Sequence, residues 1–365
     1  MFVYSERERG MRVCVVGAGS IGREFALNHF QPSATQTRVA CIVDTDEERA
    51  SALAIDVGSV LAGAQLASAE DLSMKKYRSK PSEIKGEAVP YFTALSADAL
   101  ALCDIVYVGT TPNSHLSLTL AALKAGKHVI LEKPLAATSS DADAIVTACE
   151  GASDVVTSMN IGMRWNAAIK TMRTMIEDKS IGEVKSARMK LGFITWPRIW
   201  QRVQWCAERA QGGALREVGT HFFFGINELF GHGCVERCKC TVTYDDGDDG
   251  RMAETAADGI LVLKSGIELS LSLELGLDRD VYELEVEGET GTLLLDGFTT
   301  LKKKGDNDPL VKATYGRREC IESLVRAVNG DDASDLISPR QARNAQRLLD
   351  AILSSNGEWV DISYD

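Results

Sequence analysis

The chain carries, at Met11–Gly22, the stretch MRVCVVGAGSIG. An apolar run leads here into the glycine pattern G-x-G-x-x-G, formed by Gly17, Gly19 and Gly22. The next residues, Ile21–Phe30, have helical spacing. A strand, a glycine turn and a helix in this order are typical of an α/β sheet whose first helix receives a phosphate group at its amino terminus.

Strands and helices alternate through the rest of the first half, which predicts a doubly wound parallel sheet of the Rossmann type with helices on both faces. A helix is expected to start near Asp46 and Glu47, after the second strand. The other predicted elements of this half are the strands Arg38–Val43, Asp104–Val108, His128–Leu131 and Val155–Met159, and the helices Asn113–Lys124 and Ser139–Cys149.

The pattern changes after about residue 160 and predicts a second, α+β domain with a large, mostly antiparallel open sheet. We therefore expect domains at 1–159 and 160–365, with the C-terminal helices (about 316–365) packing back toward the first domain. The predicted elements are the helices Ala167–Glu177, Cys320–Val328 and Pro339–Leu353, and the strands Val184–Phe193, Gly259–Leu263, Ile267–Leu275, Tyr282–Val286 and Glu358–Ile362.

Length and charge narrow the function classes. A chain of 365 residues exceeds the usual size of one core, and a net charge of −12 argues against a nucleic-acid partner. The basic run at 75–80, within a presumed insertion at 62–90, is interpreted as a surface loop. The first ten residues lack a signal-peptide core and no stretch is apolar enough for a membrane helix, so we expect a soluble, cytoplasmic protein.

The nine cysteines do not predict a metal site or a disulfide framework. They are scattered, include no C-x-x-C pair and lack histidines at zinc-like spacing. Cys238 and Cys240 are expected to share one face of a strand. The acidic stretch at 245–250 lacks the glutamate that closes a calcium loop and is interpreted as a hairpin turn. We expect no bound metal.

The glycine pattern predicts a dinucleotide site because each glycine has a distinct task. Gly17 permits the tight turn, Gly19 lets backbone amides approach a pyrophosphate, and Gly22 allows close packing of the helix. Asp44 closes the next strand, where a carboxylate accepts hydrogen bonds from ribose hydroxyls and repels a 2′-phosphate. NAD is therefore favoured over NADP, and capping of the following helix by Asp44 is compatible with that role.

Lys133 follows a predicted parallel strand, in the tripeptide Glu132-Lys133-Pro134, and ligands of open α/β sheets gather at such strand ends. The proline allows a cis or a trans bond, and the sequence leaves that choice open. Glu217 and His221 are four residues apart in a segment interpreted as helical, so one helix face should carry both. A positioned imidazole suits proton transfer near neutral pH.

These motifs resemble the Gfo/Idh/MocA family of oxidoreductases. The resemblance rests on the glycine turn, Thr111-Pro112-Asn113-Ser114-His115, the run from Ala125 through Lys133-Pro134, and Gly212–His221, in the family's order over most of the chain. It implies proton handling by Lys133 and His221, with Glu217 orienting His221. It also implies cofactor contacts by Gly17, Ala18, Gly19, Ser20, Ile21, Gly22, Asp44, Thr110, Thr111, Pro112, Asn113, His115, Glu132 and Lys133.

The resemblance further implies a homodimer or homotetramer and hydride transfer between NAD, or NADP, and a secondary alcohol or ketone of a sugar, polyol or related cyclic molecule. Phe224 stands where many relatives carry an aspartate. The candidates for substrate contact are Arg164, Trp165, Trp196 and Trp200. The alternatives are an ion pair for Arg164 and a core or interface position for the tryptophans.

Two other functions remain open at this point. One is a non-catalytic, dinucleotide-binding regulatory protein, which loss of Lys133 or His221 would have favoured. The other is an NADP-linked reductase of aromatic dihydrodiols or bilins, which the tryptophan-rich segment at 196–205 leaves possible.

Overall fold

The computed structural model describes residues 10–30, 32–63, 86–201, 203–245 and 250–364. The first nine residues, the basic run, most of the insertion and residues 246–249 of the acidic stretch lie outside these ranges. The chain forms two compact units: residues 1–135, 143–160 and 317–339 make the first, and residues 136–142, 161–316 and 340–365 make the second.

The first unit contains a six-stranded sheet in the order β3-β2-β1-β4-β5-β6, and every strand pair in it is parallel. The second strand is fully or half buried throughout, and Val13 to Val16 of the first are at most 3% exposed. This confirms the sheet predicted from continuous apolar runs. Its strands are β1 (Met11–Val16), β2 (Thr37–Val43), β3 (Tyr91–Phe92), β4 (Ile105–Val108), β5 (His128–Glu132) and β6 (Thr157–Asn160).

Helices lie between these strands, and some carry an acidic side chain in the first turn, such as Glu47 in the third helix, which suits the positive end of the helix dipole. Asp46 caps the third helix by accepting a hydrogen bond from the amide of Arg49. The helices are α1 (Ser20–Glu24), α2 (Pro32–Thr35), α3 (Glu47–Leu61), α4 (Ala97–Ala101), α5 (His115–Lys124), α6 (Ser139–Glu150) and, late in the chain, α9 (Arg317–Val328). Residues 139–142 of α6 belong to the second unit and residues 143–150 to the first.

The predicted helix Ile21–Phe30 is not regular. It becomes a wide π-type turn at Phe25–His29, closed by a hydrogen bond from the Phe30 amide to the Phe25 carbonyl. In a regular α-helix, residues five apart point about 140° away from each other. The wider turn lets both Phe25 and Phe30 contact the buried ring of Tyr107, at centroid distances of 4.7 and 5.3 Å.

The second unit contains a nine-stranded sheet in the order β14-β13-β12-β11-β7-β10-β9-β8-β15. Only the β10–β7 pair is parallel, which confirms the mostly antiparallel sheet predicted from period-two alternation. The strands are β7 (Val184–Phe193), β8 (Val235–Tyr244), β9 (Glu254–Leu263), β10 (Glu268–Leu275), β11 (Val281–Gly288), β12 (Thr292–Asp296), β13 (Thr300–Lys303), β14 (Val311–Lys312) and β15 (Trp359–Asp361).

The helices of this unit are α7 (Ala167–Glu177), α8 (Thr220–Phe230) and α10 (Pro339–Ser354). The α8 helix is almost wholly buried, and Phe222, Phe223 and Phe224 are each 0% exposed. Phe224 is therefore part of the core of this unit. Burial at this density accounts for the run of three aromatic residues.

All nine cysteines are buried and none forms a disulfide. Cys238 and Cys240 do lie on one buried face of β8. Among the described residues, no group of three or more histidine, cysteine and acidic side chains could hold a metal ion. Likewise, none of the described helices has both the length and the apolar character needed to cross a membrane.

Candidate functional site

The carboxyl ends of the parallel strands bring the predicted cofactor residues to one edge of the first sheet. In the strand order, β2, β1, β4 and β5 are neighbours, and the chain direction through the sheet changes at β1. This is the switch point at which open α/β sheets bind ligands. Each of these four strands is directly followed by a residue of the site: β2 by Asp44, β1 by Gly17, β4 by Gly109 and β5 by Lys133.

The glycine turn has little room for side chains at two of its three glycines. Gly17 has φ +101°, and a Cβ there would lie 2.5 Å from the carbonyl oxygen of Gly109. A Cβ on Gly22 would lie 1.7 Å from the carbonyl oxygen of Gly17. By contrast, a Cβ on Gly19 would meet no heavy atom within 4 Å. The open side at Gly19 is the space that a pyrophosphate needs to approach the backbone.

Asp44 holds this turn in place. One carboxylate oxygen accepts the amide hydrogen of Ala18 at 2.6 Å, and the other accepts that of Asp46 at 2.9 Å. The residue that caps the following helix is Asp46, so the capping role that was compatible with Asp44 belongs to its neighbour. Asp46 also pairs with Arg49 at 3.0 Å, so the nearest arginine is already matched with a carboxylate.

The residues at this edge fit a dinucleotide. The buried Ala18 and the exposed Ser20 lie between the glycines, at the amino terminus of α1, and Ile21 is half-buried. Backbone amides there can meet a phosphate, and each Asp44 oxygen has a further lone pair for a ribose hydroxyl. The turn and Asp44 would therefore hold the pyrophosphate and the adenosine ribose.

The segment after β4 folds into a tight turn at Pro112–Ser114 that leads directly into α5. The hydroxyl of Ser114 donates to Thr110 Oγ1 at 2.7 Å and lies 2.9 Å from the Thr111 carbonyl oxygen. Thr110 and Thr111 are half-buried, whereas Asn113 is exposed. These contacts fix the shape of a loop that begins at the same sheet edge as the glycine turn.

His115 lies in the interior rather than at the surface of this edge. It is 0% exposed, with its ring nitrogens 3.2 Å from the carbonyl oxygens of Thr110 and Leu135. Burial lowers the pKa of His115, which keeps the ring neutral. A neutral imidazole donates one hydrogen, to one carbonyl at a time. His115 thus joins the loops after β4 and β5, and its predicted contact with the cofactor stays a prediction.

Glu132 also points inward. Its Oε1 accepts the hydroxyl hydrogen of Tyr107 at 2.7 Å and an amide hydrogen of Asn160 at 2.5 Å. These three residues belong to the neighbouring strands β4, β5 and β6, so the carboxyl group joins their ends. Burial raises the pKa of Glu132, and the two hydrogen bonds only partly oppose that shift.

Lys133 follows this buried group and is half-buried. The Lys133–Pro134 peptide bond, which the sequence left open, is cis. Lys133 thus lies at the edge that carries the glycine turn, one strand beyond the Thr110 loop.

In the second unit, His221 is the second residue of α8. The preceding residues, Leu215–Gly219, form a wide π-type turn rather than the regular helix that the spacing of Glu217 and His221 predicted. Glu217 is 8% exposed within this turn. The four-residue spacing therefore does not by itself place the two side chains on one α-helical face.

A buried glutamate fixes the start of this turn. Glu254, 3% exposed at the first position of β9, accepts the amide hydrogen of Leu215 at 2.7 Å. A Cβ on Gly213, which has φ +102°, would lie 2.4 Å from the Glu254 carboxyl group. Burial raises the pKa of Glu254. No local pattern in the sequence indicates Glu254, because 39 positions separate it from Leu215.

His221 has an aromatic environment. Its Nδ1 lies 2.6 Å from the hydroxyl oxygen of Tyr315, and its ring stands edge-on to Phe298 and Tyr315 at centroid distances of 5.5 Å. Tyr315 lies in a loop and has no motif around it, so it was not among the predicted site residues. No local signal could have found it, since the hydrogen bond spans 94 residues.

Arg164 forms the ion pair that the sequence left open. Its Nη1 contacts both carboxylate oxygens of Glu228, at 2.9 and 3.0 Å, and His232 lies 3.0 Å from the same carboxylate. Trp165 is 7% exposed and belongs to the core. Arg164 thus has a structural partner and Trp165 a structural position, and substrate contact by either residue stays a prediction.

The tryptophan segment divides into an anchored and an exposed half. The indole of Trp196 donates to the Cys206 carbonyl at 2.9 Å and packs edge-on against Phe193. Trp200 is 48% exposed, with the Arg198 guanidinium 4.4 Å above its ring. Trp200 is thus the more exposed of the two, since Trp196 is half-buried.

Substitutions of the glycine turn should separate folding from cofactor binding. Gly22→Ala places a methyl group against the Gly17 carbonyl, so it should lower the free energy of unfolding by about 1–3 kcal/mol or more. Gly19→Ala meets no neighbour and should unfold at the wild-type midpoint, yet bind NADH more weakly. Thermal unfolding and NADH titration of both variants measure this difference. Equal stability of the two variants would contradict the packing role of Gly22.

Glu132 provides a test of the buried carboxyl group. The raised pKa means that the folded state favours the protonated form of Glu132. Its contribution to stability is therefore fully present below the usual glutamate pKa of 4.5 and is lost as the pH rises through the pKa in the folded protein. Glu132→Gln keeps an acceptor oxygen without the charge and should equal or exceed wild-type stability at neutral pH.

Glu132→Ala is the matched variant, because it leaves the Tyr107 hydroxyl and the Asn160 amide without their acceptor. It should cost about 1–3 kcal/mol in denaturant unfolding. If Glu132→Gln were as unstable as Glu132→Ala at neutral pH, the carboxylate would be ionised and paired in the folded protein.

The chain is similar to known oxidoreductases along most of its length. Residues 11–160 match the oxidoreductase family with an NAD-binding Rossmann fold, and residues 173–362 match that family's C-terminal α/β domain. A relative from Ensifer adhaerens, 1,5-anhydro-D-fructose reductase, is 32% identical over 293 residues, which cover 80% of this chain and 77% of the relative.

Two further proteins match this chain over very different shares of its length. A trans-1,2-dihydrobenzene-1,2-diol dehydrogenase from Xenopus laevis is 30% identical over 129 residues, covering 35% of this chain and 37% of the relative. The crystal structure of the WlbA dehydrogenase from Bordetella pertussis, in complex with NADH and UDP-GlcNAcA, is similar in fold, with a TM-score of 0.75 and 18% identity. The match covers 99% of this chain and 100% of the Bordetella chain. The matches to both domains and to the Ensifer protein show that this chain belongs to the Gfo/Idh/MocA family of NAD(P)-dependent oxidoreductases.

Proposed function

We propose that the protein oxidises a secondary alcohol, or reduces the corresponding ketone, of a sugar, polyol or related cyclic molecule. The observation that carries the proposal is the position of Lys133, which follows β5 at the sheet edge that also holds the glycine turn and Asp44. A cationic side chain there can hydrogen-bond a substrate hydroxyl. The nicotinamide of the bound cofactor supplies the hydride acceptor or donor.

In this proposal Lys133 and His221 handle the hydroxyl proton. During oxidation the alcohol gives up a proton as well as a hydride, so a group able to take that proton lowers the barrier. Imidazole is suited to the task because its ordinary pKa lies near neutral pH. Glu217 is proposed to orient His221 from the wide turn that precedes α8.

The sugar or polyol class is supported by the extent of the similarity. The match to the anhydrofructose reductase covers 80% of this chain, whereas the match to the dihydrodiol dehydrogenase covers 35%. We further propose that NAD is preferred over NADP. The Asp44 carboxylate would repel a 2′-phosphate, and Arg49 is paired with Asp46.

The function is tested by following NAD or NADP reduction against inositols, aldoses, sugar acids and dihydrodiols. With any substrate found, Lys133→Met and His221→Ala should each lower turnover by roughly 10²- to 10⁴-fold while leaving cofactor affinity nearly unchanged. The loss is expected in kcat because both groups act on the proton in transfer.

Two variants serve as matched controls. Lys127→Met removes a lysine that precedes β5 and bonds the Cys103 carbonyl at 2.9 Å, and His232→Gln removes the imidazole beside Glu228. Both should retain wild-type turnover. Full activity of Lys133→Met or His221→Ala would overturn the mechanism, and turnover of none of the substrates would favour the regulatory alternative.

A further inference from the structure

The hydroxyl of Tyr315 engages one specific nitrogen of His221. The distance from the phenolic oxygen to Nδ1 is 2.6 Å, which is within the range of a strong hydrogen bond. An imidazole that is held at Nδ1 exchanges protons with a substrate through Nε2. The contact therefore bears on which nitrogen performs the chemistry proposed above.

Tyr315 is itself fixed in place. The backbone amide of Gly162 donates to the phenolic oxygen at 3.2 Å. A Cβ on Gly162 would lie 2.4 Å from the Tyr315 ring, so only glycine leaves room for the ring there. Phe298 stands edge-on to the ring at 5.7 Å, and Asn166 donates to the Phe298 carbonyl at 2.6 Å. The phenol is thus a rigid partner for His221.

Proton balance shows what this partner must do. To accept a hydroxyl proton at Nε2, neutral His221 must carry its own hydrogen on Nδ1. To donate from Nε2 in the reverse reaction, it must be the imidazolium, which again carries a hydrogen on Nδ1. In both directions the Nδ1–H donates to the Tyr315 oxygen, which can accept from Gly162 as well because a hydroxyl oxygen has two lone pairs.

We propose that Tyr315 is a positioning residue of His221 in addition to Glu217, holding the imidazole orientation and the Nδ1–H form in which Nε2 exchanges the substrate proton. The inference rests on the proposed function for its catalytic meaning. It gives to a tyrosine the orienting role that a carboxylate has in other proton-transfer sites. In this role Tyr315 acts through His221 and not on the substrate itself.

The structural part is tested by nitrogen NMR of the histidine rings in the cofactor-bound protein. Tyr315→Phe keeps the ring beside Gly162 and removes only the hydroxyl. Tyr282→Phe is the matched control, because Tyr282 also packs on Phe298 but bonds Asp280 through its hydroxyl at 2.9 Å. The resonances of His221 are assigned by their loss in His221→Ala.

Tyr315→Phe should shift the ring-nitrogen resonances of His221 and leave the other four histidines unchanged. Tyr282→Phe should leave all five as in the wild type. If the His221 resonances were the same in Tyr315→Phe and the wild type, Tyr315 would not set the form of the ring and the proposal would be overturned. This arm needs no substrate.

The catalytic part is tested by a double-mutant cycle. Tyr315→Phe should lower kcat by about 10- to 100-fold with little change in KM, since a misplacement of about 1 Å can cost 10²-fold. In the His221→Ala background the same change should cost almost nothing, because Tyr315 acts through His221. An undiminished cost in that background, or wild-type kcat in Tyr315→Phe, would contradict the proposal.

The outcomes separate this inference from the proposed function. Wild-type turnover by His221→Ala would overturn the proposed function, while the NMR comparison would still decide whether Tyr315 sets the form of the ring. If His221→Ala lowered kcat and Tyr315→Phe left kcat at the wild-type value, the inference would be overturned and the proposed function would stand.

Discussion

The hydrogen bonds from Ala18 and Asp46 to the Asp44 carboxylate are the interaction on which the first sheet edge depends. They join the end of β2 to the glycine turn after β1 and to the residue that caps α3. Without this acceptor, two backbone amides at the edge would lose their partners. In the proposed function the same carboxylate would meet the ribose, so the shape of the site and its preference for NAD would both depend on Asp44.

The first sheet could be predicted from the sequence because its determinants are local. Continuous apolar strands of four to seven residues are typical of a parallel sheet covered on both faces, and Val13–Val16 are buried as that pattern requires. The glycine turn was predictable for the same reason. Gly17 and Gly22 are limited by carbonyl groups at the adjoining strand ends, which the G-x-G-x-x-G spacing already specifies.

The surroundings of the catalytic candidates could not be predicted, because they come from long-range contacts. The partners of His221, Leu215 and Arg164 are Tyr315, Glu254 and Glu228, which are 94, 39 and 64 positions away. The wide turns at Phe25–His29 and Leu215–Gly219 were missed for a related reason. The spacing of apolar residues predicts a regular α-helix. A π-type turn contains an extra residue, and whether it forms depends on tertiary packing that the local sequence does not show.

The most direct test of the account is a comparison of cofactor affinities. Fluorescence titration of the wild type with NADH and NADPH, at one ionic strength so that screening is equal, measures what the Asp44 carboxylate does at the turn. The ratio of the NADH affinity to the NADPH affinity is also measured in Asp44→Ser. Because a general weakening of the loop affects both affinities, a change in this ratio reports cofactor choice. The account predicts tighter binding of NADH by the wild type and a ratio shifted toward NADPH in Asp44→Ser. Tighter binding of NADPH by the wild type would contradict it.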